Sequence, residues 1–186
     1  MPSTPTAAPV GPVASGTLKI RDTAVVVYSR NGHSQRLARQ VADQLDADIF
    51  LIRTKRYRLP VLGLVQAVHD AVRGRLPEVC CNVEAVSRYR CLVVGGPIWA
   101  GNIAPPVSAF LAAQQDLPAE LGLFVTCGGM NAPETAFLSA EARMGRRFSA
   151  TMWLPNTLED TDEMTRRLAA FRSALLPSET AAEAPV

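Results

Sequence analysis

The stretch Thr23–Ser34, TAVVVYSRNGHS, decides the fold class of this chain. Its first half, Thr23 to Tyr28, is continuously apolar and β-branched, without the polar alternation of a strand that has one wet face. Such a run fits a central strand of a parallel sheet covered by helices on both sides. Its second half, Ser29-Arg30-Asn31-Gly32-His33-Ser34, is a polar turn. Directly after it Leu37, Val41 and Leu45 recur four apart with Ala38 and Ala42 beside them, which makes one apolar helix face. Backbone N–H groups converge in a turn of this kind, the helix start adds positive potential, and Ser29, Asn31 and Ser34 bring side-chain donors; together these suit a phosphate. Gly32 fits because a Cβ there would obstruct close approach or the required backbone angle. The plainer alternative is a tight turn in which Ser34 caps the helix. Neither GxxxxGK(S/T) nor GxGxxG is present, so the segment is neither a nucleotide-triphosphatase loop nor a dinucleotide fingerprint.

Working outward, strands are predicted at Ile49–Ile52, Cys91–Gly95, Leu121–Thr126 and Ser149–Trp153. Apolar stripes at helical spacing lie at Val107, Phe110 and Leu111, at Phe137, Ala140 and Met144, and at Met164, Leu168, Phe171 and Leu175. Strand and helix alternating five times predict an α/β protein with an open, doubly wound sheet of five parallel strands. The interval 54–90 is less regular, with a helix predicted over Leu62–Val72. It carries Lys55, Arg56, Arg58, Arg73, Arg75, Arg88 and Arg90 against only Asp70, Glu78 and Glu84. Such an interval reads as a solvated face, or alternatively as a docking surface for an acidic partner or an anionic cosubstrate.

Function in an open α/β sheet is expected at the carboxyl ends of the strands. The third strand runs into Gly95-Gly96-Pro97-Ile98-Trp99-Ala100-Gly101-Asn102, where two glycines permit close backbone approach and an aromatic stands beside exposed amides. The fourth ends in Thr126-Cys127-Gly128-Gly129-Met130-Asn131. Three loops thus supply a phosphate cradle and two walls for a planar heterocycle.

Composition bounds the rest. The chain has 186 residues, 48% of them hydrophobic and 19% charged, and can bury about 70% of its unfolded surface. Disorder throughout is excluded, and no apolar run approaches the roughly 20 residues of a membrane span. Its net charge of +2 argues against a nucleic-acid binder. The cysteines at 80, 81, 91 and 127 match neither a CxxC redox pair nor a zinc site, so no metal and a reduced, cytoplasmic protein are expected. Residues 1–19 and 177–186, rich in Pro, Ala, Ser and Thr, read as disordered tails around a domain at 20–176; the first shows no secretory or transit pattern.

VVVYSRNGHSQRLA, GGPIWAGNIAPPVSAFL and LFVTCGGMN, in this order, resemble the phosphate loop and the two ring-side loops of the flavodoxin superfamily. The likeness is greatest to the short flavodoxin-like proteins that bind flavin mononucleotide (FMN) noncovalently. The resemblance implies strand order 2-1-3-4-5 and an FMN site. Ser29, Arg30, Asn31, Gly32, His33 and Ser34 would then hold the phosphate, with Pro97, Ile98, Trp99, Ala100, Gly101 and Asn102 on one side of the ring and Thr126, Cys127, Gly128 and Gly129 on the other. Trp99 is the candidate stacker, and Ala100 the alternative facing residue, which would leave one face more open. Arg30 and His33 occupy variable positions of the pattern, facing solvent or helping to neutralise the phosphate. Cys127 reads as a small, unactivated residue. Electron-carrier flavodoxins are strongly acidic and this chain is not, which counts against a general shuttle. Three roles remain open: an FMN-binding redox protein, an NAD(P)H-dependent FMN or quinone oxidoreductase, and a binding module that retains the fold. A redox partner, a small-molecule acceptor and an oligomer are all compatible with these readings.

Overall fold

Five parallel strands build the sheet in the computed structural model, which describes residues 21–57, 60–81, 83–114, 117–129 and 133–177. The first expected tail, 1–19, and all of the second except Pro177 lie outside these residues. In chain order the elements are β1 (Thr23–Val27), α1 (His33–Leu45), β2 (Asp48–Leu51), α2 (Pro60–Arg73), α3 (Val83–Val86), β3 (Cys91–Trp99), β4 (Asn102–Ile103), α4 (Pro105–Ala113), β5 (Glu120–Cys127), α5 (Glu134–Met144), β6 (Ala150–Pro155) and α6 (Asp162–Leu175). A single 3-10 turn, Asn156–Leu158, joins the last strand to the last helix.

The sheet order is β2-β1-β3-β5-β6, all parallel, with the two-residue β4 antiparallel to the end of β3. Counting the parallel strands alone, this is the expected 2-1-3-4-5. Val25 sits between Ile49 and Val93, and Val93 pairs onward with Gly122, so β1 and β3 form the centre. Every residue of β1 is buried, which is why its sequence shows no alternation.

Side chains alternate between two cores, as the pleat requires. Ala24, Val26, Leu92, Val94, Leu123 and Val125 pack with Val107 and Phe110 of α4 and Ala136 of α5. Val25, Val27, Val93, Phe124 and Met152 face the other way, onto Leu37 and Val41 of α1 and Leu168, Phe171 and Leu175 of α6. Burying each large side chain of this kind contributes roughly 1.5–3 kcal/mol.

Two expectations are corrected. The second helix begins at Pro60, not Leu62, because proline is well placed in a first turn whose N–H groups lack partners. Strand β3 continues four residues past Gly95, and β4 was not foreseen at all. The small size of Gly95 and Gly96 also serves packing. A Cβ on Gly95 would lie 2.0 Å from the Phe124 ring, and one on Gly96 would lie 2.5 Å from Val107.

Candidate functional site

The carboxyl ends of β1, β3, β5 and β6 surround one cleft. Its lining is Ser29, Arg30, Asn31, His33 and Ser34 after β1, Pro97, Ile98 and Trp99 from β3, Thr126, Cys127 and Gly128 at the end of β5, and Asn156 after β6. Eleven of the sixteen residues predicted from sequence are therefore together. Gly101 and Gly129 line an adjoining groove that shares Ile98, Cys127 and Gly128 with the cleft. Gly32 is the N-cap of α1. Ala100 and Asn102 lie in a hairpin and outside the cleft lining. Met130 and Asn131 lie outside the described residues.

The turn after β1 is shaped by Gly32. It caps α1 at φ +90°, ψ −21°, with no side-chain cap, and its carbonyl accepts the Arg36 N–H at 2.9 Å. A side chain is strained at that angle, so glycine is dictated here. The Gly32 N–H donates to Ser29 Oγ at 3.1 Å, closing the turn on itself. Ser34 lies two residues past the N-cap Gly32, so it is not the cap. Its buried hydroxyl instead meets Thr126 Oγ1 at 2.7 Å, tying the start of α1 to the end of β5.

His33 is 37% exposed and its inner edge is engaged by Glu159. Its Nδ1 is 2.5 Å from Glu159 Oε1, and Arg36 donates to Glu159 Oε2 from Nε at 2.9 Å and Nη2 at 2.6 Å. That same Nδ1 lies 2.8 Å from Arg36 Nη2, and it can donate to the carboxylate or accept from the guanidinium, not both. Burial pushes the Glu159 carboxyl up, but the bonds from Arg36 and His33 outweigh it and hold it below its ordinary value. The first helix is thereby clamped to the segment after β6.

Trp99 ends β3 and lines the cleft, with its ring fixed edge-on by two tyrosines. The centroid distances are 5.6 Å to Tyr28 at 89° and 5.4 Å to Tyr57 at 79°. Tyr28 is buried, which pushes its phenol up to about 12. Beyond Trp99 the chain reverses through Ala100 (φ +47°) and Gly101 (φ +77°), so that Trp99 pairs with Asn102 and Ile98 with Ile103. Two positive φ angles are what a two-residue hairpin turn of the right twist demands. Asn102 Nδ2 reinforces it by donating to Ala100 O at 3.1 Å.

On the opposite wall Cys127 donates to Gly129 O at 3.1 Å. Burial pushes its thiol up despite that bond, so the group is not activated. Asn156 and Glu159 were not found from sequence. The available signal was the polar run Pro155-Asn156-Thr157-Leu158-Glu159, which follows the fifth parallel strand as the other loops follow theirs. Asn156 Oδ1 is buried with no hydrogen-bond partner, the one such side-chain atom among the described residues.

A doubly wound sheet in this order, with its strand-end loops gathered on one cleft, defines the flavodoxin-like α/β fold, and that is the fold of this chain. Solved structures bear this out. A flavoprotein from Lactobacillus acidophilus NCFM, in complex with FMN, superposes with a TM-score of 0.61 at 18% identity, over 76% of this chain and 97% of that one. A protein from Bacteroides eggerthii DSM 20697, provisionally described as a flavoprotein, gives a TM-score of 0.66 at 16% identity, covering 83% of this chain and 97% of that one. A Streptococcus pneumoniae TIGR4 flavodoxin gives 0.51 at 14%, over 82% and 97%. At these identities the likeness is one of fold. No protein-family model matches the chain, and no curated protein matches its sequence. No helix among the described residues is long and apolar enough to cross a membrane.

Proposed function

We propose that this chain binds FMN noncovalently in the cleft and acts in electron transfer or oxidoreduction. The observation that carries the reading is the unpartnered Asn156 Oδ1, buried where the loops after β1, β3 and β5 converge. A buried acceptor left alone costs about 1–3 kcal/mol, and an N–H or O–H of a bound ligand would satisfy it. FMN offers such donors on its ring edge and ribityl chain.

Ser29 to Ser34 hold the phosphate, through the N-terminal amides of α1 and with Arg30 supplying positive charge. His33, engaged by Glu159, sets the shape of the loop. Pro97 to Trp99 form one wall with Ala100 to Asn102 behind it, and Thr126 to Gly129 form the other. When bound, the flavin supplies the redox chemistry and the protein tunes it by stacking and hydrogen bonds. The four free thiols fit a reducing, cytoplasmic setting.

Flavin fluorescence tests the reading. Titration of FMN with the apoprotein is expected to quench it saturably, and Gly32→Val is expected to weaken binding by about ten-fold or more, because valine resists a φ of +90°. A wild-type protein that takes up no FMN overturns the proposal in favour of a binding module.

An NAD(P)H-dependent FMN or quinone oxidoreductase is the second reading. The observation favouring it is the wall after β5, whose described residues Cys127, Gly128 and Gly129 carry no aromatic that would stack on that side of the ring. Anaerobic addition of NADH or NADPH to the FMN-loaded protein bleaches the flavin if this reading holds. A flavin that responds only to dithionite excludes it.

A further inference from the structure

The chain leaves the sheet at Arg53 and returns beside it at Cys80. These two residues exchange backbone hydrogen bonds, Arg53 N–H to Cys80 O at 2.9 Å and Cys80 N–H to Arg53 O at 2.8 Å, and the Thr54 hydroxyl donates to Glu78 O at 2.9 Å. Within the excursion, Arg56 and Tyr57 both bind the buried carboxylate of Asp70. The rim so fixed encloses a concavity of about 670 Å³, inside the range of about 300–1,000 Å³ typical of small-molecule sites.

Four cations line it: Arg53, Lys55, Arg56 and Arg75, against Asp70 and Glu78. Arg56 and Asp70 satisfy one another. Among the described residues no carboxylate pairs with Arg53, Lys55 or Arg75, and Glu78 pairs with no cation. Cations around a concave wall focus positive potential more strongly than the same charges spread over a convex face. Arg53, Thr54 and Arg56 also line a second groove, which ends on Ser29, Arg30 and Asn31. The basic concavity and the flavin cleft are thus joined along one face of the molecule.

We propose that this concavity is a second anion site, taking a small organic polyphosphate of the nucleoside diphosphate class. Guanidinium forks match phosphate oxygens two at a time, and arginines predominate among the lining cations. A small ligand fits better than an acidic protein surface, because the cations line a concave wall whose extension runs on to the cleft. Only its adjacency to a flavin rests on the function proposed above; the anion site itself stands on the hollow and its cations.

The probe is ADP, titrated calorimetrically with and without FMN, with a hexaglutamate peptide run in parallel. Saturable ADP binding is expected in both conditions, weakened about ten-fold or more in the triple variant Arg53→Ala/Lys55→Ala/Arg75→Ala and by added salt. FMN affinity of that variant is expected to stay within about two-fold of wild type, since none of the three residues lines the cleft. All three side chains are exposed, so circular dichroism should report an unchanged fold, and Arg75→Glu alone should weaken ADP in the same direction. No ADP binding, ADP binding indifferent to the variants, or capture of the peptide in place of ADP overturns the proposal. ADP binding that the triple variant loses, in a protein that takes up no FMN, leaves this site standing and removes the flavin reading.

Discussion

The Tyr57 hydroxyl donates a 2.8 Å hydrogen bond to Oδ2 of Asp70, a carboxylate only 1% exposed, while the Tyr57 ring packs edge-on against Trp99. Asp70, on α2, therefore holds a wall of the cleft through one intermediate. Tyr57 adopts φ +69°, and α2 approaches it so closely that a Cβ on Gly63 would lie 2.7 Å from the Tyr57 carbonyl. Burial pushes the Asp70 carboxyl up, but bonds from Arg56, Tyr57 and His69 outweigh it, so the folded group sits below its ordinary value.

A carboxyl depressed in the folded state lends stability above its unfolded pKa of about 4 and loses it as the pH falls through the folded value. Asp70→Asn is expected to cost about 2 kcal/mol at pH 7, below the roughly 3–5 kcal/mol of a fully buried pair because Arg56 is 43% exposed. Urea unfolding from pH 7 down to pH 2, a window of about five units, should show a shallower acid limb for the variant than for wild type. Parallel curves would mean that Asp70 contributes nothing through its charge.

Gly95→Ala should destabilise by about 1–3 kcal/mol through overpacking, since the new methyl would collide with the Phe124 ring. The cost should shrink in a Phe124→Leu background, where the ring is gone. A double-mutant cycle by chemical denaturation measures this coupling, and additive losses would refute the packing account.

Ala100 holds a left-handed angle that costs a non-glycine residue roughly 1–2 kcal/mol, and glycine would remove that strain. Part of the gain, about 0.4–1 kcal/mol, is offset by the freer unfolded chain. Ala100→Gly is expected to raise the melting temperature slightly, and Gly101→Ala to lower it. Thermal unfolding of the two variants should move in opposite directions.

Ser34 and Thr126 share one buried hydrogen bond across 92 residues of sequence. Ser34→Ala leaves the Thr126 hydroxyl without this partner, at about 1–2 kcal/mol. Combining it with Thr126→Val should cost less than the two single changes added together, again read from a denaturation cycle.

Asn156→Ala removes a buried acceptor that has no protein partner, so the apoprotein should be no less stable and should gain up to about 1–3 kcal/mol. Its affinity for FMN should fall about ten-fold. Equal FMN affinity in variant and wild type would show that Asn156 does not meet the flavin.

The fold class was legible in sequence because its signals are local. Continuous apolar character over Thr23–Tyr28 marks a strand covered on both faces, and the four-residue spacing of Leu37, Val41 and Leu45 marks one helix face. Gly32 could be read as a special backbone position for the same reason, and its φ of +90° agrees. The hairpin at Ala100-Gly101 escaped because alanine rarely takes a left-handed angle and two-residue strands carry no periodicity.

Sequence by itself determined the five parallel strands and the long helices, which faces they bury and which strand ends carry loops of unusual chemistry, but neither β4 nor the short α3. Tertiary structure alone decided that Gly95 makes room for Phe124, that Glu159 clamps His33 from 126 positions away, that Asp70 supports Trp99 through Tyr57, and that Asn156 enters the cleft. The physical reason is one of range. Periodicity and backbone preference act over a few neighbouring residues, whereas these contacts arise only when sheet order brings distant strand ends side by side.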